Sequence, residues 1–250
     1  MKKVFVLAVL GQIIFNLGGI NGLYAHDRGD LMLNIEPFYG FSFPNIEIKD
    51  SLGNPIFDGY SNTFTDKFGM DIGLNTTVHY YFIDYFGVNL GFGLKLFMTI
   101  WDSNYVKDSE KVSVTSVSAG YYATVPVGVR FSYNGFALGL GVITNIPLID
   151  TGSVYITSDN YWYNSTTEDY RFNTHVNWYT DIGFDLSGRK DRTGGFGLLT
   201  RLQGNINQVA KRDNMWSNYH FDKFNYFSFA LIFQAAIMLD NIQFGANSQL

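Results

Sequence analysis

The stretch Arg171–Leu186, with the sequence RFNTHVNWYTDIGFDL, alternates between two kinds of residue. Its even positions are mostly apolar, from Phe172 through Trp178 to Leu186, and its odd positions are mostly polar or charged. Side chains alternate between the two faces of a β-strand, whereas an amphipathic helix repeats its apolar residues every three or four positions. The stretch is therefore predicted to be a long strand with one apolar and one polar face.

Seven further segments alternate in the same way and complete a set of eight predicted strands. They are residues 31–43, 68–82, 86–101, 116–131, 136–147, 195–206 and 224–239. Pro37 lacks an N–H group, so it predicts a bulge or an unpaired position in the first strand. Asn134 and Gly135 tolerate a positive φ and predict a tight hairpin turn. Consecutive hairpins of this kind predict an all-β, antiparallel, up-and-down barrel.

Three features favour a transmembrane barrel over a soluble, lipocalin-like barrel, which would also alternate. Strands of about 12 to 16 residues are long enough to cross a bilayer at a tilt. Glycine is frequent on the polar face, and the narrow interior of an eight-stranded barrel needs small residues beside large ones. Long polar connections (44–67, 102–115, 148–170 and 207–222) alternate with short links, as in outer-membrane barrels. The apolar rows are therefore predicted to face lipid and the polar rows to face the lumen.

The first 25 residues are predicted to be a secretory signal peptide. Lys2 and Lys3 precede an apolar run from Val4 to Leu10, and Ala25 supplies a small residue before the polar residues that follow. The domain organisation is then a signal peptide at 1–25 and a barrel at 26–250, with a tail at 240–250. An uncleaved N-terminal membrane anchor is the alternative.

Composition excludes several classes of function. The chain has no cysteine, which rules out disulfides, cysteine-ligated zinc, cysteine nucleophiles and a lipoprotein anchor. Without residues 1–25 it has 15 basic and 22 acidic residues, so it is a poor candidate for binding nucleic acid. No cofactor or metal site is predicted.

The strand pattern over residues 31–239 resembles the small bacterial outer-membrane barrels of the OmpA and OmpX type. The resemblance rests on the pattern and on no motif, so it implies an architecture and an outer-membrane location without implying an activity. Such proteins usually end their last strand with an aromatic residue near the C-terminus. Here the last strand reaches Leu239 and a tail follows, so either Phe244 has that role or the tail is free.

Every charge within a predicted strand lies on the polar face, where it would point into the lumen: Glu36, Asp71, Lys95, Arg130, Asp181, Asp185 and Arg201. Asp181 and Arg201 are symmetric about Asp191 in their hairpin, so they are expected to lie opposite each other. Enclosed charges require partners, which favours a salt-bridged lumen. A polar path for ions or small solutes is the alternative.

Histidine offers weak support for an enzyme. His26 lies beside the predicted cleavage site and His79 near a short turn, while His175 and His220 lie near the outer rim. Around His220 are Asp213, Ser217 and Asp222, but a Ser-His-acid site is defined by geometry, which spacing does not supply. The protein is predicted not to be an enzyme, and a lipid- or peptide-modifying barrel is the third possibility considered.

The long connections contain exposed aromatic residues among Asn, Ser and Asp: Tyr155, Tyr161, Trp162, Tyr163, Tyr170, Trp216 and Tyr219. This composition resembles adaptable binding surfaces, although anchoring at the headgroup level explains it equally well. We therefore expect a structural or adhesive protein of the bacterial outer membrane, with a narrow porin-like channel as the second reading. Its expected partners are outer-membrane lipid, the outer-membrane assembly machinery, and a host or envelope ligand at the long loops.

Overall fold

The structure, a computed structural model, describes residues 26–50, 67–107, 110–156, 161–165, 172–187, 194–209 and 219–239. These residues form nine strands: β1 (Leu31–Asp50), β2 (Lys67–Ile83), β3 (Phe86–Lys107), β4 (Glu110–Tyr133), β5 (Phe136–Ile156), β6 (Tyr161–Ser165), β7 (His175–Asp185), β8 (Gly194–Asn205) and β9 (Tyr219–Met238). Among the described residues, no helix is long and apolar enough to span a membrane. The predicted signal peptide and the tail at 240–250 lie outside these ranges and stay predictions.

Eight of the strands close into a barrel. Each of β1 to β5 pairs antiparallel with the next, β5 pairs with β7, and β7, β8 and β9 continue in order. The barrel closes where β9 pairs with β1, from Met32↔Met238 to Asp50↔Tyr219. The remaining strand, β6, pairs with the outer end of β5 and is not part of the barrel wall. The predicted all-β, antiparallel, eight-stranded up-and-down barrel is confirmed.

The two faces of the wall have opposite polarity. On β3 the outward row includes Leu90, Phe92 and Leu94, each more than half exposed, whereas Lys95 on the inward row is buried. An apolar outer belt on a closed barrel is the arrangement that a bilayer requires, because closure pairs the edge strands with each other and leaves no open edge towards lipid. The protein is therefore an outer-membrane barrel, as the sequence predicts.

Proline and the tight turns behave as the sequence predicts. The β1–β9 pairing passes from Ile35↔Ala235 to Phe38↔Ile232 and leaves out Glu36 and Pro37, whereas on the other side Pro37 pairs with Leu74 of β2. The β3–β4 pairing has a similar gap between Leu90↔Val127 and Gly93↔Thr124, a gap that contains Pro126 on β4. Asn134 and Gly135 both have positive φ, 48° and 78°, in the hairpin between β4 and β5.

The long connections are shorter than predicted, because the strands continue beyond the apolar belt. The predicted loop 102–115 is mostly strand, since β3 and β4 stay paired up to Lys107↔Glu110. The predicted loop 148–170 contains the end of β5 and all of β6. Conversely, the strand predicted from Arg171 begins at His175. Outside the bilayer a strand no longer needs an apolar outer row, so alternation fades there while the backbone pairing persists.

Glycine makes room for large side chains inside the wall. Gly128 on β4 and Gly141 on β5 face Tyr179 of β7. A Cβ atom at Gly141 would lie 2.7 Å from Tyr179 Cε1, and one at Gly128 would overlap the tyrosine hydroxyl. The tyrosine ring therefore lies against the inner side of β5 and β4 because these two positions have no side chain.

Candidate functional site: the barrel interior

The interior is the candidate site because all seven predicted charged residues point into it. Glu36, Asp71, Lys95, Arg130, Asp181, Asp185 and Arg201 are all less than a tenth exposed. Burial of a charge is costly unless partners compensate it. The contacts of these residues divide them into four groups along the barrel axis.

Asp181 and Arg201 form the tightest pair. They lie directly opposite each other in the β7–β8 register, as the hairpin symmetry predicts. Arg201 donates from Nε to Asp181 Oδ1 and from Nη2 to Oδ2, both at 2.7 Å. The guanidinium also lies 4.4 Å from the ring centroid of Tyr179. The bidentate geometry is the strongest form of this interaction.

Lys95 lies in a cage of aromatic rings. Its Nζ is 5.3 Å from the ring centroid of Tyr122 and 5.5 Å from that of Tyr226, and it donates to the Tyr226 hydroxyl at 3.1 Å. Asp71 Oδ1 is the nearest carboxylate oxygen that the structure gives it, at 3.9 Å. Gln203 donates to Asp71 Oδ2 at 3.3 Å. The rings and one loose ion pair therefore share the stabilisation of this ammonium group.

Arg130 and Asp185 form the pair at the short-turn end. Arg130 Nη2 donates to Asp185 Oδ2 at 2.9 Å. The hydroxyl of Ser187 and its backbone N–H both donate to Asp185 Oδ1. His26 approaches the same carboxylate, with 3.4 Å between its Nε2 and Asp185 Oδ2. Because Asp185 is the last residue of β7, this group closes the end of the barrel on the short-turn side.

Glu36 contacts Thr77 and His79 on the neighbouring strand β2. The sequence places it level with Asp181 and Arg201, but its hydrogen-bond donor is the hydroxyl of Thr77, at 3.0 Å. His79 Nε2 lies 3.6 Å from Glu36 Oε1 and 2.9 Å from the same Thr77 hydroxyl. From the sequence, His79 was expected only to lie near a short turn. In the structure His79 belongs to the polar network of the lumen.

A layer of buried aromatic residues closes the lumen towards the long-loop side. The layer contains Phe97, Tyr122, Phe172, Phe224 and Tyr226. Phe97 stacks on Tyr226 with ring centroids 4.8 Å apart, and Tyr122 lies 5.9 Å from Phe172. Sequence reasoning missed this layer because it assigned large apolar side chains to lipid. The available signal is positional, since Phe97 and Tyr122 each interrupt a row of small or polar residues.

Between these groups the described residues leave little space. A cavity of ≈ 10 Å³ lies beside Lys95 and Arg201 and is lined also by Asn75, Thr124 and Asn145. That volume corresponds to about one water molecule. Beside Lys95 and Arg201 the described interior therefore has room for about one water molecule.

Five of the seven predicted loop aromatics lie on strands. Tyr155 is on the outer end of β5, and Tyr161, Trp162 and Tyr163 form most of β6, where Tyr155 pairs with Trp162. Tyr219 begins β9, and Tyr170 and Trp216 lie outside the described residues. All five were predicted to lie in loops (148–170 or 207–222), which is wrong for their backbone. An aromatic-rich segment does not alternate in polarity, so its strand character is invisible in the sequence.

The two histidines near the outer rim lie on different strands, His175 on β7 and His220 on β9. His175 is buried and faces the Tyr226 hydroxyl, with 3.3 Å between Nε2 and that oxygen. His220 and Asp222 lie on β9, whereas Asp213 and Ser217 fall outside the described ranges. Within those ranges, no group of three or more His, Asp or Glu residues could hold a metal ion.

The chain matches no protein-family model and no curated protein. Among solved structures it is similar to Ail, the attachment invasion locus protein of Yersinia pestis, with 14% identity, 84% of this chain and 99% of that chain covered, and a TM-score of 0.36. It is similar to the outer membrane protein OprG of Pseudomonas aeruginosa, with 14% identity, coverage of 86% and 99%, and a TM-score of 0.41. It is also similar to the outer membrane protease OmpT of Escherichia coli, with 7% identity, coverage of 88% and 100%, and a TM-score of 0.33. Likenesses this distant carry no argument about function, so the assignment to outer-membrane barrels rests on the chain's own closed wall and apolar belt.

Proposed function

We propose that this protein is a non-conducting outer-membrane barrel that acts at the cell surface through strands projecting from the membrane, in a structural or adhesive role. The observation that carries the proposal is the filled interior. Ion pairs occupy the lower and middle lumen, an aromatic layer lies above them, and the cavity between them is ≈ 10 Å³. A lumen packed in this way favours a function outside it.

The β3–β4 hairpin gives the clearest measure of the projection. In the sequence of β3 the unbroken apolar period ends at Ile100, and Asp102 and Asn104 are the next two positions of that period, before Val106. From Trp101↔Ser116 to Lys107↔Glu110, seven residue pairs continue beyond Ile100. At roughly 3.3 Å per residue this is about 23 Å of strand beyond the apolar belt. The hairpin therefore continues beyond the apolar belt of the barrel.

Beside this hairpin, β5 and β6 extend the same sheet. The register places Thr115, Tyr155 and Trp162 in one row across β4, β5 and β6. Sheets that present aromatic residues and backbone edges above a membrane provide area for contact with a protein or a glycan. We propose that a host or envelope ligand binds there, and that the assembly machinery and lipid are the remaining partners.

The experiment that tests a closed lumen is conductance across a planar bilayer. The refolded protein should give no discrete openings, and stepwise openings would overturn the proposal and favour a narrow channel. That channel is the second candidate, because polar and charged side chains follow one another along the lumen. The proposal includes no enzymatic reaction.

The experiment that tests the surface role shortens the hairpin. Residues 103–114 are replaced by Asn-Gly, and cells that display either protein are compared for adhesion to an epithelial monolayer. The shortened barrel should keep heat-modifiable migration and lose adhesion relative to the full protein. A matched control replaces the short turn between β4 and β5, residues 134–135, by Gly-Gly; this turn lies on the opposite side of the membrane from the hairpin. Equal adhesion of the shortened and full proteins would contradict the proposed role of this hairpin.

A further inference from the structure

The short-turn end of the barrel contains a small pocket that the chain fills with its own residue. Residues 26–30 precede β1, and the side chain of His26 is buried. Its ring stacks on Tyr81 with centroids 4.1 Å apart and an interplanar angle of 17°. Its Nδ1 lies 3.5 Å from Asp30 Oδ2 and its Nε2 lies 3.4 Å from Asp185 Oδ2. We propose that this pocket is a binding site for a planar monovalent cation, which His26 occupies in cis.

The charges around His26 call for a cation. Three elements and the segment itself contribute the titratable groups that face it: Tyr81 from β2, Arg130 from β4, Asp185 from β7 and Asp30 from the segment. Two of these are carboxylates and one is a guanidinium. Among the described side chains one further positive charge balances the set, and an imidazolium at His26 supplies it. A neutral occupant would leave a buried excess of negative charge, which is costly.

The shape of the pocket favours a flat occupant. Tyr81 presents the face of its ring, and a cation over an aromatic face is stabilised by the ring quadrupole. Neither ring nitrogen of His26 makes a hydrogen bond of good geometry, so stacking and charge hold the ring. Those two interactions are also available to a free imidazolium or guanidinium ion, because neither depends on the peptide that carries the ring.

The segment is anchored independently of the histidine side chain. Gly29 N–H donates to Tyr81 O at 2.7 Å, Tyr81 N–H donates to Asp30 O at 3.0 Å, and Arg28 N–H donates to Asp84 Oδ1 at 3.0 Å. These bonds involve the backbone of residues 28–30 and remain when the side chain of residue 26 is truncated. His26→Ala should therefore empty the pocket while the segment stays in place.

The test is ligand binding to His26→Ala, refolded in detergent micelles with labelled tyrosine and followed by NMR at about pH 5.5, where imidazole is mostly protonated. Imidazole should bind saturably and shift the Tyr81 ring signals. Pyrazole, a neutral ring of the same shape, should bind at least about tenfold more weakly. Guanidinium should bind and compete with imidazole. The unsubstituted protein should not respond, because His26 occupies the site.

Two variants keep the test decisive. His26→Ala/Asp185→Asn removes the carboxylate on the pocket and should lose the preference for imidazole over pyrazole. If His26→Ala does not fold, His26→Gln provides a neutral occupant in its place, and free imidazole should displace it and shift Tyr81. Equal binding of imidazole and pyrazole, or an equal response of the unsubstituted protein, would overturn the proposal.

Discussion

The Asp181–Arg201 pair makes a quantitative prediction about the stability of the barrel. Its two hydrogen bonds are both 2.7 Å long, and both residues are less than a tenth exposed. Removing one partner of a buried pair costs about 3–5 kcal/mol, because the remaining charge has no compensation. Arg201 would retain the face of Tyr179, which is worth ~0.5–2 kcal/mol. We therefore expect Asp181→Ala to lower the free energy of unfolding by about 3 kcal/mol.

A double-mutant cycle separates the pair from its surroundings. Arg201→Ala alone should cost a similar amount, whereas the double variant has no stranded charge and should cost about as much as one single variant. The coupling energy should then be about 3 kcal/mol. The measurement is urea-induced unfolding in lipid vesicles, followed by tryptophan fluorescence and by heat-modifiable gel migration.

The control cycle combines Asp181→Ala with Lys95→Ala. Lys95 contacts Tyr226 and Asp71, so its coupling to Asp181 should be clearly smaller. Costs of the Asp181 and Arg201 substitutions that add within about 0.5 kcal/mol would refute the pairing as an energetic unit.

Three further perturbations follow from individual contacts. Gly128→Ala should cost about 1–3 kcal/mol of unfolding free energy, because its Cβ would overlap the Tyr179 hydroxyl; Gly139→Ala, where the nearest atom is 3.2 Å away, is the milder control. Tyr226→Phe should cost about 1–3 kcal/mol, because its hydroxyl accepts from Lys95 and from Asn177 at 2.6 Å; unchanged urea midpoints would contradict this. Burial alone would lower the pKa of His26. The carboxylates of Asp185 and Asp30 raise this pKa by more than burial lowers it, so the net pKa lies above its ordinary value. The stabilisation of the docked segment should thus be complete below about pH 6.5 and be lost as the pH rises through the raised pKa. Hydrogen exchange of the Gly29 amide as a function of pH measures this loss. The same pH dependence in His26→Gln would assign the change to another group.

The two-residue period explains why the barrel could be predicted from the sequence. Because side chains alternate strictly, one correct strand assigns every residue in it to lipid or to lumen. A short hairpin adds register, which is how Asp181 and Arg201 are expected to face each other. Both inferences use residues that are close in the chain, or a pattern that repeats in every strand.

Contacts across the lumen could not be predicted, because they depend on how the barrel closes. Lys95 and Tyr226 are 131 residues apart, and Arg130 and Asp185 are 55 apart. Which inward side chains meet depends on the stagger between strands accumulated around the whole wall. A one-residue slip anywhere in the wall would change every such contact. The aromatic layer at Phe97 and Tyr122 also depends on contacts across the lumen. In the sequence, each of these residues is a large aromatic residue of the type expected to face lipid, but it lies in the row that faces the lumen.

The change of pattern along β3 shows where the protein has freedom to vary its function. From Phe86 to Ile100 the outward row must be apolar because lipid surrounds it, and the inward row must contain glycine because the lumen is narrow. Beyond Ile100 the apolar period is interrupted at Asp102 in the sequence, while the pairing of β3 with β4 persists. There neither lipid nor lumen restricts the side chains. A ligand-binding surface that differs between related barrels can evolve on that hairpin without disturbing the membrane-spanning wall, which is why the proposed function is assigned to it.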